Sequence, residues 1–166
     1  MPSKAKIEAV PFDPAASMMA AFATSNRINI YLLRGLPEEA WRAVPPQGKG
    51  RTIASITAHI HNVRLMWLKS IAPSEPALAK LDPDTVTKDE AIDALEQSFA
   101  AMDAILRAAL TGDGKVRGFK PDAGSFLAYL FAHEGHHRGQ ITMLARQTGH
   151  PVPQSVMFGL WEWGTR

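Results

Sequence analysis

Between Thr87 and Gly114 the apolar residues Ile92, Leu95, Phe99, Met102, Leu106 and Leu110 follow one another at spacings of three and four. An α-helix turns once every 3.6 residues, so this spacing predicts a helix with one buried face and excludes a half-buried strand, which would alternate. Thr87-Lys88-Asp89-Glu90 opens it as a capping box, and Thr111-Gly112-Asp113-Gly114 closes it. A chain with one such segment needs partners to cover its apolar stripe, and three more segments of the same kind are present.

The first starts at Asp13-Pro14, Asp as N-cap and Pro where a missing N–H costs nothing, and runs to about Arg34. Met18, Phe22, Ile28, Leu32 and Leu33 give it an apolar face, and Gly35 and Pro37 end it. Glu38 to Val44 reads as a short helical turn, and Pro45 to Gly50 as a loop. From Thr52 a second segment carries Ile53, Ile56, Ile60, Val63, Met66 and Trp67 and stops before Pro73. The last long one spans about Ser125 to Thr148, with Gly149 as C-cap glycine and Pro151 beyond it, and a short helix follows over Gln154 to Trp163. No segment alternates as a strand and no repeat is visible. The expectation is all-α: one domain over residues 1–166, a four-helix bundle with a short extra C-terminal helix.

Composition narrows the function classes. The chain has 18 Lys and Arg against 16 Asp and Glu, a net charge of +2, and its basic residues, Arg64, Lys88 and Arg138 among them, are scattered and not interleaved with aromatics. The electrostatic footprint of a nucleic-acid binder is missing. There is no cysteine, which removes disulfides, thiolate ligands and a cysteine nucleophile together, so any metal must be held by nitrogen and oxygen. The opening Met-Pro-Ser-Lys-Ala-Lys leads into no apolar signal region, and no apolar stretch approaches the roughly 20 residues that span a bilayer. These features lead to the expectation of a soluble cytoplasmic protein without membrane contact.

Five of the six histidines fall in two clusters: His59 and His61, then His133, His136 and His137. His133 and His137 are one turn apart, about 40° around the helix. Phe126, Leu130, Ile141 and Leu144 continue their stripe in both directions. Two imidazoles on a core-facing stripe bring nitrogens that need partners once buried, and a shared divalent cation satisfies one nitrogen of each. His59 lies on the stripe of Ile56, Val63 and Met66 and so points inward as a third ligand. His61, about 200° away beside Thr57, Arg64 and Leu68, reads as peripheral, and His136 lies about 100° off the ligand face. His150, between Gly149 and Pro151, reads as a turn residue.

His133-Glu134-Gly135-His136-His137 also satisfies H-E-x-x-H, the zinc-peptidase pattern with Glu134 as general base. Five positions with two free arise easily by chance, strand signals for aligning a substrate are absent, and the only downstream carboxylate for a third ligand is Glu162 in the Trp-rich tail. Gly135 in mid-motif further weakens that reading.

Two stretches resemble one family. Thr52 to Leu68, with His59 and His61, is similar to the second helix of the DinB-like (DinB/YfiT) family of metalloenzymes, and Phe126 to Gly149, with His-Glu-Gly-His-His-Arg-Gly-Gln-Ile, to its signature helix. The resemblance implies an up-down-down-up four-helix bundle with a three-histidine metal site, here His59, His133 and His137, the trio the stripes select. It further implies one divalent ion, zinc or nickel foremost, homodimers, and for some members a low-molecular-weight thiol as cosubstrate.

Three histidines leave a coordination position open, as catalytic sites do. The expected function is a metal-dependent enzyme that activates a thiol or water for transfer to a small electrophilic molecule, with Glu134 and His136 as candidate catalytic proton handlers. Arg138 reads as a surface cation. The alternatives are a non-enzymatic, stress-related metal-binding or interaction protein, suggested by the Phe158, Trp161 and Trp163 tail, and the H-E-x-x-H hydrolase.

Overall fold

A computed structural model describes residues 11–166; the Met-Pro-Ser-Lys-Ala-Lys stretch, expected to carry no signal, lies outside the described residues. Helix α1 spans Pro14–Gly35, α2 Ile53–Ile71, α3 Lys88–Thr111, α4 Ala123–Gln147 and α5 Gln154–Gly159. The caps are those that the residue types call for. Asp13 accepts from the Ala16 N–H with Pro14 behind it, and the Thr87–Glu90 box is closed in both directions. Gly149, at φ +84°, takes the left-handed turn that lets the His150 N–H reach back to Ala145. The α4 start lies two residues earlier than the apolar pattern indicated, because Asp122 caps it through the Ser125 N–H. Between α1 and α2 the expected turn is a 3₁₀ helix over Glu38–Ala40, after which Trp41 buries its ring and donates to the Val86 carbonyl.

Cross-helix contacts give the directions. Phe22 of α1 meets Phe99 of α3, whereas Leu36, beyond the other end of α1, accepts from Lys88 at the start of α3; these two helices are antiparallel. His61 bonds Ala94 and Arg64 bonds Leu95, so α2 and α3 run parallel. His59 faces His133 while Trp67 faces Phe126, so α2 and α4 are antiparallel. The bundle is up-down-down-up, as expected. Among the described residues there is no strand, only an isolated bridge between Val116 and Phe119. No helix there is long and apolar enough to cross a membrane.

The core is in two halves. One gathers Leu32 and Leu33 of α1, Ile53 and Ile56 of α2, Leu95 of α3 and Ile141 of α4. The other gathers Phe22, Met102, Leu106, Phe126 and Leu130, with Trp67 and Phe119 packed against them. Between the halves lies a buried polar layer of Asn26, Asn29, Arg64, Ser98 and Glu134. Its level along the bundle is that of the histidines.

Two expectations are corrected here. The buried face of α2 is Ile53, Ile56, Thr57, Ile60, His61 and Arg64, not the stripe through Val63 and Met66; Met66 is 53% exposed. With the helix so turned Arg64 meets four partners inside the bundle, and without Arg64 the buried Glu134 would be left an unpaired charge. The C-terminal helix stops at Gly159, short of Trp163. Beyond it, Trp161 is 80% exposed and meets no apolar surface that would prolong the helix.

Candidate metal centre

His59 from α2 and His133 and His137 from α4 come together at the α2–α4 seam. Their ligand atoms all lie within 4.8 Å of one another. His133 Nε2 is 3.4 Å from His59 Nε2 and 3.1 Å from His137 Nε2. Two nitrogens bound at 2.0–2.1 Å to a tetrahedral ion stand about 3.3 Å apart, so these separations suit a shared divalent cation. His59 therefore reaches the site as expected, though from a half-buried rim position and not from the interior face.

The protonation chemistry of the donors fits as well. Burial lowers the pKa of all three rings. His133 falls to about 4, through burial first and then the neighbouring His137 and His59. Burial, Arg51 and His137 act on His59; for His137 burial outweighs the opposing hydrogen bond to Gln140. Neutral imidazoles at neutral pH have a lone pair to give. Gln140 Oε1 lies 2.7 Å from His137 Nδ1, so that nitrogen is the protonated one and Nε2 is the free donor. Tyr129 stacks on the His133 ring at 5.9 Å and restrains it from the other side.

Glu134 and His136 separate. His136 is exposed, with its ring 5.0 Å from that of His137 at the outer edge of the site. Glu134 is 1% exposed and turned into the polar layer. Its Oε1 accepts from Arg64 Nε at 2.8 Å, and its Oε2 from Arg64 Nη2 at 2.9 Å and Asn29 Nδ2 at 2.7 Å. Burial alone would raise its pKa, but Arg64, Asn29 and Arg138 outweigh burial and hold the carboxyl below its ordinary range.

Arg64, also 1% exposed, was hidden among the scattered basic residues. All five of its N–H donors are used: two on Glu134, and the rest on Asn26 Oδ1, the Leu95 carbonyl and Ser98 Oγ. Arg138 is likewise no surface cation: Nη1 donates to Asn29 Oδ1 at 2.8 Å and to Ser25 Oγ at 3.1 Å. His61 is not peripheral either. It is buried, with its two ring nitrogens each 3.0 Å from a carbonyl, those of Ala94 and Ala79. Among the described residues no buried side-chain nitrogen or oxygen lacks a partner. The sequence did carry a signal for this layer: Asn26 and Asn29 sit one turn apart amid apolar residues, and Arg64 continues the Ile53, Ile56 and Ile60 stripe.

The model of a family described as the DinB family matches residues 1–163. Among curated proteins, a stretch of 30 residues is 57% identical to one described as "Uncharacterized protein YrdA" from Bacillus subtilis (strain 168). That stretch covers 18% of this chain and 18% of that protein.

Proposed function

Since the chain belongs to the DinB family, we propose that it is a metal-dependent enzyme whose His59, His133 and His137 hold one divalent ion, zinc or nickel. The observation that carries this reading is the convergence of three neutral-favouring imidazole nitrogens at ligand spacing on two helices. With three protein ligands among the described residues, an ion held by His59, His133 and His137 would supply the Lewis acidity that makes a thiol or water a nucleophile near neutral pH. The substrate class is a small electrophile, with a low-molecular-weight thiol as the favoured cosubstrate.

The chain's own residues divide the remaining work. Gln140 and Tyr129 orient His137 and His133. His136, exposed with its ring 5.0 Å from that of His137, is the proposed acceptor of the proton released by the nucleophile. Arg51, exposed just before the N-cap of α2, bears on His59 and His137 and favours an anionic group near the site. Glu134 receives no proton-transfer role in this proposal, because both of its oxygens are committed to Arg64 and Asn29. The same commitment argues against the H-E-x-x-H hydrolase reading.

The experiment is elemental analysis of tag-free protein, wild type against His137→Ala, followed by turnover of the zinc- and nickel-loaded forms with small thiols and a panel of electrophiles. One metal per chain, lost in the variant, with metal-dependent turnover is the expected result. Absence of bound metal and of zinc or nickel uptake on titration would sink it. Metal without turnover would favour the second reading, a metal-binding interaction protein. That reading draws on the exposed Phe158 and Trp161, which also make a homodimer contact part of this proposal.

A further inference from the structure

Apolar helix packing is weakly directional. A helix that slides by one turn, about 5.4 Å, presents a similar ridge to its neighbour. Metal ligation tolerates only about 0.2 Å in each ligand distance. Something other than the two apolar halves must therefore set α4 against α2.

In α4 each ligand histidine is followed at once by a tethered charged residue, Glu134 after His133 and Arg138 after His137. One step along a helix is about 100° of rotation, so the anchors and the ligands leave α4 on adjacent faces. On α2, Arg64 lies five residues beyond His59, about 7.5 Å along the axis. Its single guanidinium bonds Asn26 of α1, Leu95 and Ser98 of α3, and Glu134 of α4, so all four long helices meet at this one side chain. A planar fork on a carboxylate allows one orientation, which an apolar contact does not demand.

We propose that the Arg64–Glu134 pair, extended through Asn29 to Arg138, is the positioning device of the metal centre, setting the rotation and axial register that bring His59 to His133 and His137. Arg64 and Glu134 are positioning residues and touch neither ion nor substrate. This inference rests on the metal-centre reading above. A buried ion pair is often replaceable by apolar side chains without loss of stability, so its function here is the register and not the stability of the bundle.

The test uses the full chain and cobalt(II), whose visible absorption reports coordination geometry. Wild type binds one cobalt per chain and His137→Ala does not; failure at this step overturns the metal-centre reading and the inference with it. Given wild-type binding, Arg64→Met/Glu134→Met stays helical by circular dichroism but binds cobalt roughly 10–100-fold more weakly with an altered spectrum. A folded double variant with wild-type affinity and spectrum overturns the inference while the metal centre stands. Should the double variant not fold, Arg64→Lys decides between the same outcomes. It keeps the charge but loses the fork, so weakened cobalt binding in a folded protein supports the proposal and unchanged binding overturns it.

Discussion

The two apolar halves of the bundle and the polar layer between them are built on opposite principles. The halves around Leu33 and Ile141 and around Phe22 and Phe126 gain from area removed from water, and many volume-conserving exchanges would serve. The polar layer gains little net stability, because desolvating Arg64 and Glu134 costs about what their attraction returns. It admits one arrangement, however, and the three histidines sit at its level. Stability and site geometry are thus carried by different residues of the same four helices.

The largest effect should come from the apolar side. Phe126→Ala should cost about 3–5 kcal/mol in chemical denaturation, since the ring is fully buried against Trp67 and Phe119. Folded Phe126→Ala should still take one metal per chain; loss of the metal with the fold intact would erase the division of labour. Zinc at 100 times its dissociation constant should next raise wild-type stability by about 2.7 kcal/mol and leave His59→Ala unmoved.

A smaller effect is expected from pH. In the folded, metal-free protein His133 titrates at about 4 instead of 6.5, and His59 and His137 are also lowered. Between those values the unfolded chain binds protons that the folded one does not. Metal-free stability should therefore be constant above about pH 6.5 with respect to these groups and fall as pH drops toward 4. His133→Gln should flatten that slope; an unchanged slope would locate the proton uptake elsewhere. The smallest effect is Trp161→Ala, within about 0.5 kcal/mol for an exposed side chain. A drop in molecular mass by light scattering would then identify Trp161 as a contact between copies.

The part of the site legible in the sequence is the part made within one helix. His133 and His137 share a face by spacing alone, and Phe126, Leu130, Ile141 and Leu144 are buried as expected, but the buried stripe passes through Glu134 and His137 while His133 is half-buried beside it. His59 was found through the wrong stripe: Val63 and Met66 are not core, and the ring reaches the site from the rim of α2. Arg64, His61 and Arg138 were misplaced for one reason. Each looks like a surface residue by type, and each is buried or half-buried because its partners come from other helices or, for His61, also from the α2–α3 connection at Ala79. Arg64 and Glu134 are 70 residues apart, and no local pattern joins them.

Local chemistry in the chain itself determined where helices begin and end and which residues could ligate a metal. Asp13, the Thr87–Glu90 box and Gly149 act through backbone groups a few residues away. The period of the apolar residues likewise depends on nothing beyond the helix itself. Only the tertiary structure decided how each helix is rotated about its own axis, and with it which face of α2 is inside and whether Glu134 meets an arginine or solvent. Rotation is settled by hydrogen-bond partners that other helices supply, and a helix taken alone has no means of choosing among them.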